Sequence, residues 1–133
     1  MGFEIIELKS FGDKNGSLVP LEANRNVPFD IKRVYYIFGT KSDFVRGKHS
    51  HLKLKQYIIC VSGSCDFYLD ADAKGKKLIS LNTPLKAIYI EGNVWREFSN
   101  FSKDCVILVL ANQYYDVSDY IRNYEEFLEC RKI

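Results

Sequence analysis

The stretch Arg46-Gly47-Lys48-His49-Ser50-His51, followed by Gln56 and Gly63, decides how the chain reads. It holds both histidines of the protein. Two residues apart on an extended strand, both imidazoles face one side, about 7 Å apart along the backbone. Imidazole moves protons near neutral pH and is also the commonest metal ligand. The pair therefore carries proton transfer, or metal binding, or is two surface side chains.

The flanking sequence is that of a β protein. Residues 31–38 are rich in β-branched and aromatic residues, placing Arg33 and Tyr35 on one face and Val34, Tyr36 and Phe38 on the other. Before them, strands at 3–8 and 17–21 flank a turn at Asp13-Lys14-Asn15-Gly16, an opening hairpin. After the histidines, strands are predicted at 56–61, 64–69, 77–81, 86–90, 96–98 and 104–111, with turns at Gly63, at 70–75 and at Glu91-Gly92-Asn93. Many short strands at close spacing predict a single all-β domain spanning 1–133, a sandwich or barrel. Beyond Ser118, read as an N-cap, Tyr120, Ile121, Tyr124, Phe127 and Leu128 recur at helical spacing and predict a short C-terminal helix over 118–131.

Composition narrows the function classes. A net charge of +2 with scattered Lys and Arg gives no polybasic arm, so no nucleic-acid partner is expected. No run reaches the ~18 apolar residues of a membrane span, and no apolar leader opens the chain, so a soluble cytoplasmic protein is expected. The four cysteines, Cys60, Cys65, Cys105 and Cys130, show neither CxxC nor zinc-ribbon spacing and read as reduced core thiols.

His49-x-His51, Gln56 and Gly63 have the spacing of the first cupin signature, with Gln56 where a glutamate usually stands. In the second, Ile90-Glu91-Gly92-Asn93-Val94-Trp95-Arg96-Glu97-Phe98, Arg96 stands where a histidine completes a metal site. The sequence thus resembles a cupin, a jelly-roll barrel of two antiparallel sheets, with two of four metal ligands replaced. An amide brings no charge and arginine cannot deprotonate to ligate, so no metal is expected.

A closer resemblance covers nearly the whole chain. Ile31-Lys32-Arg33-Val34-Tyr35-Tyr36-Ile37-Phe38, Arg46-Gly47-x-His49-x-His51, Val94-Trp95-Arg96-Glu97, Tyr114-Tyr115-Asp116 and Asp119-Tyr120-Ile121-Arg122-Asn123-Tyr124 are similar to the sugar 3,4-ketoisomerases. That resemblance implies an isomerase moving the ketone of a dTDP-linked 4-keto-6-deoxy-D-glucose from C4 to C3. The product would feed a transaminase making a 3-amino sugar, of the kind found in O-antigen lipopolysaccharide. The chemistry needs a base at C3, a carrier of the hydroxyl proton, and donors beside the enediolate oxygens. No hydride leaves, so no cofactor is expected.

On this reading His51 is the carbon base and His49 shuttles the hydroxyl proton or partners His51, either one serving instead to position the sugar. Arg33 and Arg46 suit the pyrophosphate, because guanidinium pairs phosphate oxygens bidentately. Tyr35 bonds sugar or phosphate, or is a packed core aromatic. Gln56 and Arg96 line the pocket floor. Relatives with galacto products carry Arg at the position of Asn15 and His at that of Arg96, so a gluco product is expected, with Asn15 beside the substrate. The resemblance also implies a homodimer that exchanges the N-terminal strands of residues 1–21. Rival readings are a dTDP-sugar epimerase of the same fold, whose His–Asp pair is not visible in the sequence, a non-catalytic sugar-nucleotide-binding cupin, and a metal dioxygenase.

Overall fold

The computed structural model describes residues 2–71 and 75–131. Its twelve strands are β1 (Gly2–Glu7), β2 (Phe11–Asp13), β3 (Gly16–Leu18), β4 (Arg33–Ile37), β5 (Arg46–His51), β6 (Lys55–Ser62), β7 (Cys65–Asp70), β8 (Lys77–Leu81), β9 (Lys86–Glu91), β10 (Trp95–Ser99), β11 (Val106–Ala111) and β12 (Tyr120–Ile121). Ten form two antiparallel five-stranded sheets, ordered β1-β9-β6-β11-β4 and β12-β5-β10-β7-β8. The inward side chains of both sheets meet in one core, with Ile58, Ile88, Ile90, Ile107 and Val109 from the first and Phe67, Leu69, Leu81 and Phe98 from the second. Phe67 and Phe98 stack at 4.9 Å between ring centres. This is the all-β barrel that the strand spacing predicts, in the two-sheet jelly-roll form that the cupin resemblance implies.

Both outer faces are covered in part. Leu8, Val27 and Phe29 pack on Tyr57, Ile59, Ala87 and Leu110, so β6 is apolar on both sides. On the second sheet, Trp95 packs with Ile121 and Phe127.

Two expectations change at the termini. The first strand pairs with β9, Ile5 opposite Ile88, and the opening hairpin is made by β2 and β3. The predicted partner of residues 3–8 thus gives way to a longer apolar edge. The C-terminal helix α1 runs Tyr124–Arg131, six residues later than expected at its start. Ser118 instead lies in a 3₁₀ turn whose cap is Asp116, and Asn123 Oδ1 accepts the Glu125 and Glu126 N–H groups to start α1. Tyr120 and Ile121 are extended because they pair with His51 and Ser50. Sheet pairing there outweighs the helical spacing of the aromatics. The expected turn at 70–75 falls in part outside the described residues, which omit 72–74.

Candidate active site

The histidines stand where β5 is bulged. Across from it, Arg96 pairs with His49 but Glu97 pairs with Gly47, leaving Lys48 as the extra residue. Gly47 and Lys48 both take positive φ, 84° and 51°. A side chain at Gly47 would put its Cβ 2.8 Å from the Phe98 ring, so this strand lies against β10 closely enough to require glycine. Beyond the bulge, the His49 and His51 rings meet edge to face, 4.7 Å between centres.

A cavity of about 430 Å³ opens between the sheets, lined by Arg33, Tyr35, Arg46, His49, Gln56 and Arg96 among others. Six of the eight residues expected at the site therefore share one wall system. His51 lies behind it, 1% exposed, its ring 4.2 Å from that of Tyr120, which does line the cavity. Asn15 is exposed at the tip of the β2–β3 hairpin, where its N–H bonds Asp13 Oδ1, and does not line the cavity of its own chain.

Arg96 is the electrostatic centre. It is 2% exposed, and its guanidinium donates to Gln56 Oε1 and, at 3.0 and 3.3 Å, to the Val94 carbonyl. Those acceptors are neutral, so the cation reaches the cavity with its charge uncompensated by them. Burial lowers its pKa to about 10, which leaves it charged at neutral pH. Because arginine can only donate, Gln56 must turn Oε1 toward it and Nε2 toward Tyr35. Gln56 Nε2 accordingly donates to Tyr35 Oη at 3.1 Å, and the phenol proton stays available to a ligand. Burial raises the Tyr35 pKa, so it remains a phenol. Two residues at the cupin metal positions thus bind each other, and a buried cation with an amide does not fit a divalent ion.

Burial, helped by that charge, keeps both imidazoles neutral. Burial first and the Arg96 charge second lower His49 to about 4 and His51 to about 2. Neutral imidazoles are ready to accept protons. His51 Nδ1, without a hydrogen bond, lies 3.7 Å from Asp119 Oδ2. Asp119 is itself fixed by the Leu52 and Lys53 N–H groups at 3.2 and 3.1 Å.

The cavity rim is cationic and aromatic. Arg33 lies over Tyr35 and Tyr115, and Arg122 over Tyr120 at 4.4 Å. Asp119, Tyr115, Tyr120 and Arg122 are site residues that the sequence reading gave no role. The expected helix over 118–131 placed Tyr120 among its packing residues and gave Asp119 and Arg122 no part in a site. The family-like strings Tyr114-Tyr115-Asp116 and Asp119 to Tyr124 offered the signal.

The comparisons with known proteins agree with this geometry. The family described as "FdtA: WxcM-like, C-terminal" matches residues 1–132. A TDP-4-oxo-6-deoxy-alpha-D-glucose-3,4-oxoisomerase of Aneurinibacillus thermoaerophilus is 48% identical over 124 residues, covering 93% of this chain and 88% of that protein. The sugar 3,4-ketoisomerase QdtA of Thermoanaerobacterium thermosaccharolyticum, solved in complex with TDP, superposes with a TM-score of 0.95 at 46% identity, covering 98% and 95%. The TDP-quinovose 3,4-ketoisomerase WlaRB of Campylobacter jejuni superposes with a TM-score of 0.90 at 50% identity, covering 96% and 97%. With this fold, this paired-histidine cavity and relatives of such identity, the chain belongs to the FdtA, WxcM-like family of cupin-fold sugar 3,4-ketoisomerases and is an isomerase.

Proposed function

We propose that the enzyme converts dTDP-4-keto-6-deoxy-D-glucose into the 3-keto-6-deoxy sugar by metal-free proton transfer through an enediolate. The observation that carries this reading is the buried Arg96, hydrogen-bonded only to neutral acceptors among the described residues, facing the same cavity as the neutral His49. A C3 proton next to the C4 ketone is acidic only if the developing oxyanion is stabilised. Arg96 and the Tyr35 hydroxyl supply that stabilisation, held in place through Gln56.

The sequence reading makes His51 the carbon base; we assign the two roles the other way round. His49 lines the cavity and takes the carbon proton. His51, backed by Asp119, moves the proton between O3 and O4, its imidazolium pairing with the carboxylate as it forms. Arg33 and Arg46, joined by Arg122, take the pyrophosphate. A gluco product is favoured by Arg96 and Asn15, which replace the His and Arg of galacto-type enzymes, and by the relative named for TDP-quinovose. The product then supplies a transaminase making a 3-amino sugar.

The chain also reads as a homodimer that exchanges its N-terminal strands. Phe11 and Leu18 on the β2–β3 hairpin are exposed in the single chain, and exchange would carry Asn15 toward the partner's cavity. Light scattering tests the dimer. Proton NMR of the substrate with enzyme in heavy water tests the reaction. Deuterium at C3 with a new 3-ketone supports it, and the coupling at C4 gives gluco or galacto. The His51–Asp119 pair beside Tyr120 also suits an epimerase, for which exchange at C3 and C5 without ketone migration is the result. Binding with no exchange leaves a non-catalytic cupin.

A further inference from the structure

Three cysteines that the isomerase chemistry does not use converge below the cavity. Cys60 is two residues from Ile58 on β6, Cys65 two from Phe67 on β7, and Cys105 two from Ile107 on β11; Ile58, Phe67 and Ile107 all line the cavity. The period of a strand puts Cys60 and Cys65 on the inward face, one step deeper than their lining neighbours, and Cys105 joins the same core cluster from the segment just before β11. All three are buried, at 0%, 1% and 2% exposure, and their Sγ atoms lie within 4.8 Å of one another. Cys60 and Cys105 approach to 3.8 Å. An ion held by three sulfurs with bonds of about 2.3 Å keeps them about 4.0 Å apart, so the trio stands close to ligating geometry.

We propose that Cys60, Cys65 and Cys105 form a binding site for a soft monovalent metal ion, Cu(I), beneath the cavity floor. Sulfur donors select soft ions, and three of them with no imidazole or carboxylate suit trigonal Cu(I) better than Zn(II), which asks for a fourth ligand. Each sulfur that ligates as thiolate releases its proton to solvent, and copper stays Cu(I) throughout. Entry lies over the turn between β6 and β7, where Ser64 and Ser102 hydrogen-bond beside the exposed Asp104. Bound metal ties β6 and β7 to the segment that leads into β11.

The test is anaerobic titration of the full chain with Cu(I) against a chromogenic Cu(I) chelator, followed by X-ray absorption at the copper edge. About one Cu(I) per chain, three sulfur scatterers near 2.3 Å and a raised Tm are expected. Cys60→Val and Cys105→Val should each lower retained copper about tenfold or more, while Cys130→Ser should retain it. Nitrogen or oxygen scatterers in the wild-type spectrum, loss of copper in Cys130→Ser, or failure of wild type to compete with the chelator would overturn the site. The wild-type spectrum decides even if a valine variant does not fold.

Discussion

His51 Nδ1 faces Asp119 Oδ2 across 3.7 Å, and Asp119 holds its place through the Leu52 and Lys53 backbone amides. The carboxylate is thus set by the chain that carries the histidine, not by the substrate. Asp119→Asn keeps an oxygen for those amides but cannot stabilise an imidazolium. We expect ketone migration to slow by about 10²-fold with KM little changed and deuterium exchange at C3 retained. Loss of exchange together with migration would show that Asp119 acts on the carbon step instead.

The two histidines should separate by the same assay. His49→Asn is expected to abolish both exchange and migration, lowering kcat by about 10²- to 10⁴-fold, while dTDP still binds. His51→Asn should leave C3 exchange measurable and stop ketone migration. The opposite pattern would return the carbon base to His51.

Arg96→Met removes the buried cation and keeps much of its volume. Loss of the oxyanion partner is expected to cost about 10²- to 10³-fold in kcat, more than it changes KM. The field on the imidazoles also falls. His49, which Arg96 holds down after burial itself, should then titrate higher, measurable by its ring-proton NMR shifts against pH.

Depressed histidines set the pH behaviour. Unfolded imidazoles titrate near 6.5, whereas folded His49 titrates at about 4 and His51 lower still. Between these values the unfolded chain binds more protons, so stability falls as pH drops below 6.5 and is fully regained above it. Tm should decline from pH 7 to pH 5, and His49→Asn should show a shallower decline. The acid limb of kcat/KM should lie below pH 6.5, since the free enzyme's base is already neutral there.

Gly47→Ala tests the bulge. Its φ of 84° is unfavourable for alanine, and the new Cβ would meet Phe98 at 2.8 Å. A loss of roughly 1–3 kcal/mol of stability is expected, read as a lower Tm, together with reduced kcat because the strand presenting His49 must shift. An unchanged Tm would mean that the bulge is not needed to seat the strand.

The sequence by itself determined the barrel and much of its polar wall. Strand alternation placed Arg33 and Tyr35 inward and Val34, Tyr36 and Phe38 outward, because neighbouring side chains on a strand must take opposite faces. The spacing from His49 to Gln56 and Arg96 put those three around one cavity, a matter of local period and family-like motif. Only the tertiary structure decided what reaches the histidines from elsewhere. Asp119 and Tyr120 lie about seventy positions from His51 in sequence and meet it because β12 pairs with β5, converting a helical-looking run into an extended one. Which imidazole lines the cavity was likewise invisible, since it depends on how the chain packs Tyr120 against the two rings. The meeting of Cys60, Cys65 and Cys105 has the same origin: strands distant in sequence register against each other, and no local pattern encodes where their side chains converge.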